Sequence, residues 1–432
     1  MRLKTWAGIA AAVILPFLNA CGDGNAQKGF VRVINATTEY TSIDLYTQAS
    51  DGSNALVVSG TAAGAASAYT DIDKGSYTFN IKSGSGASNA ATTTGSISKT
   101  DHYSVVTYLT GGVAKAQFLS DGETNPASGN AKLRVFNAAA SEASSVDVYL
   151  TGNPCNALAV TDTAFAAAQS GLQASYSQVT SQSWNVCVFP SGDKTTLLLD
   201  IPSLALKNQE IATLILTHTA GGVLLNGAVL DQQGAMTPYT SAISRVRVAA
   251  DPVSGLTTAN LNGTVITAAA AAQSVSSYVT IPSAALTAAV TIDGVTTNVT
   301  TLPAATAGHD YTLLVTGTSS NPTATLIADD NSVSTSTTQT VRARVINGVN
   351  NSSGTVSATI DNKTVGTAAL ATASTYVTIP ATTGTSTVQA SITTNPTSLT
   401  SQSFVTNGVY TVFIWGDGSA GQTPKLAVTT DR

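Results

Sequence analysis

One short pattern, written four times, constrains this chain more than any other feature. It reads Val31-Arg32-Val33-Ile34-Asn35, Leu133-Arg134-Val135-Phe136-Asn137, Val246-Arg247-Val248-Ala249-Ala250 and Ala343-Arg344-Val345-Ile346-Asn347. The arginines lie 102, 113 and 97 residues apart. Self-similarity at a fixed period means one structural unit copied in tandem. A second strand follows, clear in Ser42-Ile43-Asp44-Leu45-Tyr46 and Ser145-Val146-Asp147-Val148-Tyr149. Only its outline survives in Thr258–Leu261 and Ser357–Ile360. Midway through each copy a small residue precedes Tyr69, Tyr176, Tyr278 or Tyr376. A strongly apolar strand then starts at Tyr103, Ile211, Tyr311 and Tyr410, and a last strand ends near Asp121, Asp231, Asp329 and Asp431.

The segments between these landmarks are short and rich in Val, Ile, Thr and Tyr. Turn residues separate them every 8–12 residues or so, as in sandwiches and barrels. No long stretch has a helical period, although Ala164–Gln169 could form one turn. Hydrophobic residues are 43% and charged residues only 10%. That excludes the highly charged composition of disorder and suits Thr-rich strands. The expectation is an all-β chain of four tandem antiparallel β-sandwich (immunoglobulin-like) domains, at 30–128, 129–238, 239–335 and 336–432. The tyrosine opening the late strand has two readings. It pins a crossing loop through its hydroxyl, as a tyrosine corner does, or it is simply a half-buried β-forming aromatic.

Residues 1–20 read as a secretory signal peptide. Arg2 and Lys4 precede an apolar run from Ala7 to Leu18, too short to span a bilayer comfortably. The sequence Leu18-Asn19-Ala20-Cys21-Gly22 resembles the bacterial lipobox. That resemblance implies a lipidated Cys21 and a lipoprotein held in the membrane by several acyl chains, palmitate among them. Several chains anchor stably where one does not. Gly22 in place of Asp favours the outer membrane. Residues 21–29 form the lipidated tether, whose eight residues after Cys21 span at most ~28 Å.

Repeats one and two also resemble the exported bacterial domain known as domain of unknown function 4397. The matching residues are Arg32-Val33, Ile43-Asp44-Leu45-Tyr46 and Gly75-Ser76-Tyr77, then Arg134-Val135 and Val146-Asp147-Val148-Tyr149. The family often carries His where this chain has Asn35 and Asn137, so no role of that His transfers. The resemblance implies export and architecture and carries no activity.

Of three cysteines, Cys21 is taken by lipid. Cys155 and Cys187 fall in repeat two and are expected to form a disulfide in an oxidising compartment. No histidine lies near either in sequence, so zinc is not expected. The formal charge is −5, or −7 once Arg2 and Lys4 are removed. No nucleic-acid partner is expected from that balance.

Chemistry-bearing patterns are missing. His102 and His309 recur at nearly one repeat position, which suits a turn better than a unique catalyst. His218 stands alone. Gly416–Gly421 has the wrong register for a nucleophile elbow, and no zinc, phosphate or dinucleotide motif occurs. No enzyme, catalytic residue, metal or cofactor is expected. Two alternatives are weighed. Asp121 with Glu123, Asp231, and Asp329 with Asp330 could hold calcium at the junctions, or be solvated turn acids. Tyr108, Phe413 and Trp415 could stack a sugar, or fill a contact between domains. The partners expected are a membrane, through the lipid anchor, and a protein or glycan ligand. The function expected is a lipid-anchored cell-envelope binding or adhesive module, its ligand unspecified. The alternative is a structural spacer reaching on the order of 100–130 Å if the domains are strung in line.

Overall fold

A computed structural model describes residues 27–432, apart from 49–51, 85–87, 140–143, 170, 220, 300–301, 335–338, 352–353, 393–394 and 419–423. The expected signal peptide, Cys21 and most of the expected tether lie outside the described residues, as does part of the Gly416–Gly421 segment. The described chain is β throughout, with one 3-10 turn at Cys155–Ala157. The Ala-rich piece that could have made a helical turn is instead the edge strand Ala166–Gln169.

Each repeat folds into two facing sheets. In repeat one, the sheet carrying Arg32 runs Thr70–Asp73, Lys28–Asn35, His102–Thr110, Val113–Ser120. The other runs Asn54–Ala62, Ser42–Gln48, Gly75–Ser83, Ala91–Ile97. The later copies keep this plan, so the sheet bearing the repeat arginine is called the arginine sheet throughout. Its ladders are antiparallel except one. The arginine strand and the late apolar strand lie side by side and parallel in all four repeats. The intervening chain crosses to the facing sheet and back, which is the long crossover that a parallel pair requires.

Register corrects one landmark. Val31, Val246 and Ala343 face Tyr103, Tyr311 and Tyr410, and their counterpart Leu133 faces Ala212, not Ile211. A one-residue slip would turn every side chain to the wrong face. The tyrosine corner is present where the tyrosine is. The hydroxyls of Tyr103, Tyr311 and Tyr410 accept the backbone N–H of Ser98, Thr306 and Val405 at 3.2, 2.8 and 2.7 Å. Each partner lies five residues upstream, so the hydroxyl ties down the turn entering its own strand. Tyr410→Phe leaves the Val405 N–H without that acceptor. The expected cost is about 1–2 kcal/mol in urea unfolding, and an unchanged midpoint would contradict the role.

Burial along the strands shows which sheet is central. Strands of the facing sheets alternate, as in Ser42–Gln48, Thr257–Leu261 and Val356–Ile360. One face meets the core and the other meets water. The arginine sheets do not alternate. All seven residues of Val409–Trp415 are buried, as are the last five of Lys28–Asn35. A strand buried on both faces needs cover on both. The inner cover is the repeat's own core, one apolar cluster per sandwich. The outer cover is another repeat. Ile34, Val106 and Tyr108 meet Phe136, Ile215 and Leu230. Ala249 and Leu314 meet Ile346, Phe413 and Trp415. Repeats one and two therefore pack back to back through their arginine sheets, and so do three and four. The two pairs also touch: the Val223 N–H donates to Asp310 at 3.3 Å, and the Asn331 N–H to the Gly221 carbonyl at 3.1 Å.

Candidate functional site: arginine junctions and a shared cleft

The repeat arginines point out of their own sandwiches and into the junctions. In the pair of repeats three and four, Arg247 donates through Nε to Thr312 Oγ1 at 2.9 Å and through Nη1 to Asp431 Oδ1 at 2.5 Å. Asp329 Oδ2 lies 3.8 Å away. Arg344 reciprocates: its guanidinium donates to Thr411, to the Ala328 carbonyl at 2.8 Å and to Asp329. Each arginine thus grips the end of the last strand of the other repeat. Thr312 and Tyr278 hydroxyls both donate to Asp329 at 2.7 Å, and Thr411 donates to Asp431. The Tyr278 ring lies 4.8 Å from the Arg247 guanidinium and the Tyr376 ring 4.7 Å from that of Arg344. These contacts explain the repeat pattern. Arginine, the midway tyrosine, the hydroxyl after the strand-opening residue and the terminal aspartate form one cluster.

Electrostatics follow from burial. Desolvation alone would lower the pKa of Arg247, but Asp431, Tyr278 and Asp329 outweigh it and the net shift is upward. Burial, and then Asp329, drives the Tyr278 phenol far above its ordinary range. Both groups are fixed in one charge state, and neither is poised for proton transfer.

The pair of repeats one and two uses the same parts with one missing. Arg32 donates to Ser104 at 2.8 Å and to the Gly234 and Asp231 carbonyls at 2.6 and 3.3 Å. Arg134 donates to Thr213 and Gln173, both at 2.8 Å, and to the Ser120 carbonyl at 3.2 Å. One carboxylate, Asp121, serves both, at 3.6 and 3.5 Å. The Asp231 carboxyl turns instead toward Glu210, and burial with this hydrogen-bonded neighbour raises the Glu210 pKa. A carboxyl with a raised folded pKa favours folding when protonated, so its stabilisation is lost as pH climbs through the folded pKa. Glu210→Gln should therefore stabilise the protein at pH 7 by a few tenths of a kcal/mol, the group being half open to water. The gain should vanish below the ordinary carboxylate range. Paired melts at neutral and acid pH check both halves.

The other candidates find their places. Cys155 and Cys187 are bonded, with Cα atoms 5.5 Å apart. They clip the loop after Ser145–Thr151 to the strand Ser183–Pro190. In the chain-entropy view such a loop gains roughly 3–4 kcal/mol. The calcium reading gives way at Asp121, Glu123, Asp329 and Asp330, which are already taken by cations, while Asp231 faces Glu210. Asp121 and Asp329 sit among guanidiniums, Glu123 pairs with Lys132 at 2.5 Å, and Asp330 with Arg342 at 2.6 Å. Among the described residues no three metal-binding side chains converge. The sugar platform gives way too. Phe413 and Trp415 stack 4.8 Å apart with no exposed surface, and Tyr108 meets Phe136 edge-on at 5.6 Å. His102 stacks on Phe30 at 4.6 Å. His218 meets Thr38 and Glu39 across the first junction.

Where the two pairs meet, a cleft of ≈ 860 Å³ opens. Repeat one contributes Thr38 and Glu39, repeat two Thr219 and Gly221. Repeat three contributes His309 and the run Thr325–Asp330, and repeat four Ala371–Ser374 and Tyr376. Sequence reasoning missed this site, because its walls are loops and a strand edge of ordinary composition. It also missed Asn350, which bridges repeats three and four by donating to the Asp251 carbonyl at 2.8 Å and accepting from the Gly317 N–H at 2.9 Å.

Comparison with known proteins adds a family and remote structural likenesses. The family model Domain of unknown function (DUF4397) matches residues 29–149, which is repeat one and the start of repeat two. No curated protein matches the chain significantly. Among solved structures, a Bacteroides uniformis protein assigned provisionally to cell adhesion is 10% identical (47% of this chain, 99% of that one, TM-score 0.22). A family 26 carbohydrate-binding module of Eubacterium rectale Amy13K, solved with maltoheptaose, is 12% identical (48% and 97%, TM-score 0.17). The major pilin subunit of Bacillus cereus is also 12% identical (94% and 96%, TM-score 0.17). Likenesses this remote say nothing about a ligand.

Proposed function

We propose that this chain is a lipid-anchored binding module of the bacterial outer membrane, tethered through Cys21, with four domains at 30–128, 129–238, 239–335 and 336–432. The observation that carries the reading is the cleft built jointly by all four repeats. Pockets of this size are ordinary for ligands. A rigid scaffold presenting loops is the usual way to build one, and the arginine junctions supply the rigidity. The ligand is a protein or glycan of the envelope or its surroundings. A spacer gains length from domains strung in line, and back-to-back pairs forgo it.

Two measurements test this reading. Labelled palmitate should enter the chain in cells, and Cys21→Ser should abolish both labelling and membrane retention. The soluble chain from Gly22 should capture a ligand from a glycan array or from solubilised envelope proteins. Thr372→Trp, which fills the cleft from an exposed wall position, should remove that capture without lowering the melting temperature. Capture unaffected by Thr372→Trp would place binding elsewhere and overturn the cleft as its seat.

A further inference from the structure

We infer that the outer edge of the strand Asn321–Asp329 docks an extended, uncharged peptide segment of another protein, which joins the arginine sheet of repeat three as an added antiparallel strand. The inference deepens the binding reading and rests on it for the use of the cleft.

The molecule already does this to itself. In repeat two the corresponding last strand, Leu225–Asp231, is covered by Met236–Tyr239, in antiparallel register from Gly227 opposite Tyr239 to Leu230 opposite Met236. That sheet has five strands with Met236–Tyr239 outermost. In repeat three Asn321–Asp329 ends the sheet, and no described strand pairs with its outer edge. Burial reflects the difference. Leu225–Asp231 is mostly buried, whereas Asn321–Asp329 is mostly exposed or half-buried.

The bare edge runs along the cleft, where Thr325, Leu326, Ile327 and Ala328 line it consecutively. The Ala328 carbonyl accepts from Arg344 on that side. Backbone groups alternate between the two edges of a strand, so Leu326 and Ala324 present N–H and C=O on the same side as Ala328. Unpaired edge groups are a template for another strand, and strand addition draws its affinity from main-chain bonds. Pro322 blunts the far end. The Ala371-Thr372-Ala373-Ser374 wall of the cleft is built of small side chains. Two of the acids at the cleft are already matched by guanidiniums: Asp330 by Arg342 and Asp329 by Arg344. A neutral segment therefore fits better than a charged one.

The test uses the soluble chain from Gly22 and a fluorescein-labelled synthetic peptide of residues 235–241, the molecule's own covering strand. Anisotropy should show saturable binding below about 1 mM. Backbone N-methylation of the peptide should weaken it by about tenfold or more. Ala324→Pro, which removes one outward N–H and breaks no ladder bond to the neighbouring strand, should weaken it by a similar factor with an unchanged melting temperature. If that variant unfolds, the N-methylated peptide makes the same discrimination on the unaltered protein. No saturable binding, or equal binding by the N-methylated peptide, overturns the inference. Ligand capture that is lost in Thr372→Trp, alongside a peptide that does not bind, would leave the binding reading standing and remove only the strand-docking edge.

Discussion

Asp329→Ala should destabilise the protein by about 3–5 kcal/mol, the range for breaking a buried ion pair from one side. Asp329 is 2% exposed and accepts from Tyr278, Thr312 and Arg344, with Arg247 close by. Without it, Arg344 keeps its bonds to Thr411 and the Ala328 carbonyl but loses its counter-charge in a dry junction. The cost is mainly that uncompensated charge. The whole cluster is a different matter. Replacing Arg247, Arg344, Asp329 and Asp431 together with apolar residues of matched volume should be near neutral. The pair Arg344→Met with Asp329→Ala should accordingly recover part of the loss from Asp329→Ala alone. Urea unfolding of the three variants separates these terms. A loss under 1 kcal/mol for Asp329→Ala would mean that water reaches the junction.

Trp415→Ala should cost a similar amount, about 3–5 kcal/mol, for reasons that are apolar. The indole is fully buried against Phe413, Ile346 and Leu314, in the cluster between repeats three and four. Its Nε1–H has no hydrogen-bond partner, so truncation gives up contact and leaves a cavity without breaking a polar network. Gly348 lies directly beneath the ring: a Cβ there would stand 3.2 Å from the indole. The backbone has little freedom to collapse into the space. Trp415→Phe should lose less, since much of the stacked area survives. Denaturant midpoints of both variants, against Thr372→Trp as an exposed control, check the order.

The units and their order were legible because the repeat arginines, tyrosines and aspartates are polar landmarks in a Thr- and Ala-rich background. What those landmarks do was not legible. Asp329 meets Arg344 from the next copy, and the acidic strand ends therefore read as solvated turns or calcium ligands. The back-to-back pairing did leave a signal. Val31-Arg32-Val33-Ile34 and Val412-Phe413-Ile414-Trp415 carry apolar side chains on both faces, where a sheet open to water would alternate. Repeat two hid its register because Ala212 replaces the tyrosine, and the apolar Ile211 beside it is the more conspicuous residue. The parallel ladder is invisible to periodicity, since a strand's pattern shows its faces and not its neighbours. The cleft and its bare edge depend on how two pairs meet, which no local pattern encodes.

The most direct measurement is acrylamide quenching of Trp415. The chain from Gly22 lacks Trp6, so adding Trp184→Phe leaves Trp415 as its lone indole. With repeats three and four locked through their arginine sheets, the emission should be blue-shifted and nearly immune to quencher until the protein unfolds. Red-shifted emission, freely quenched in the folded protein, would mean that the outer faces of the arginine sheets are open to water and the repeats are not paired.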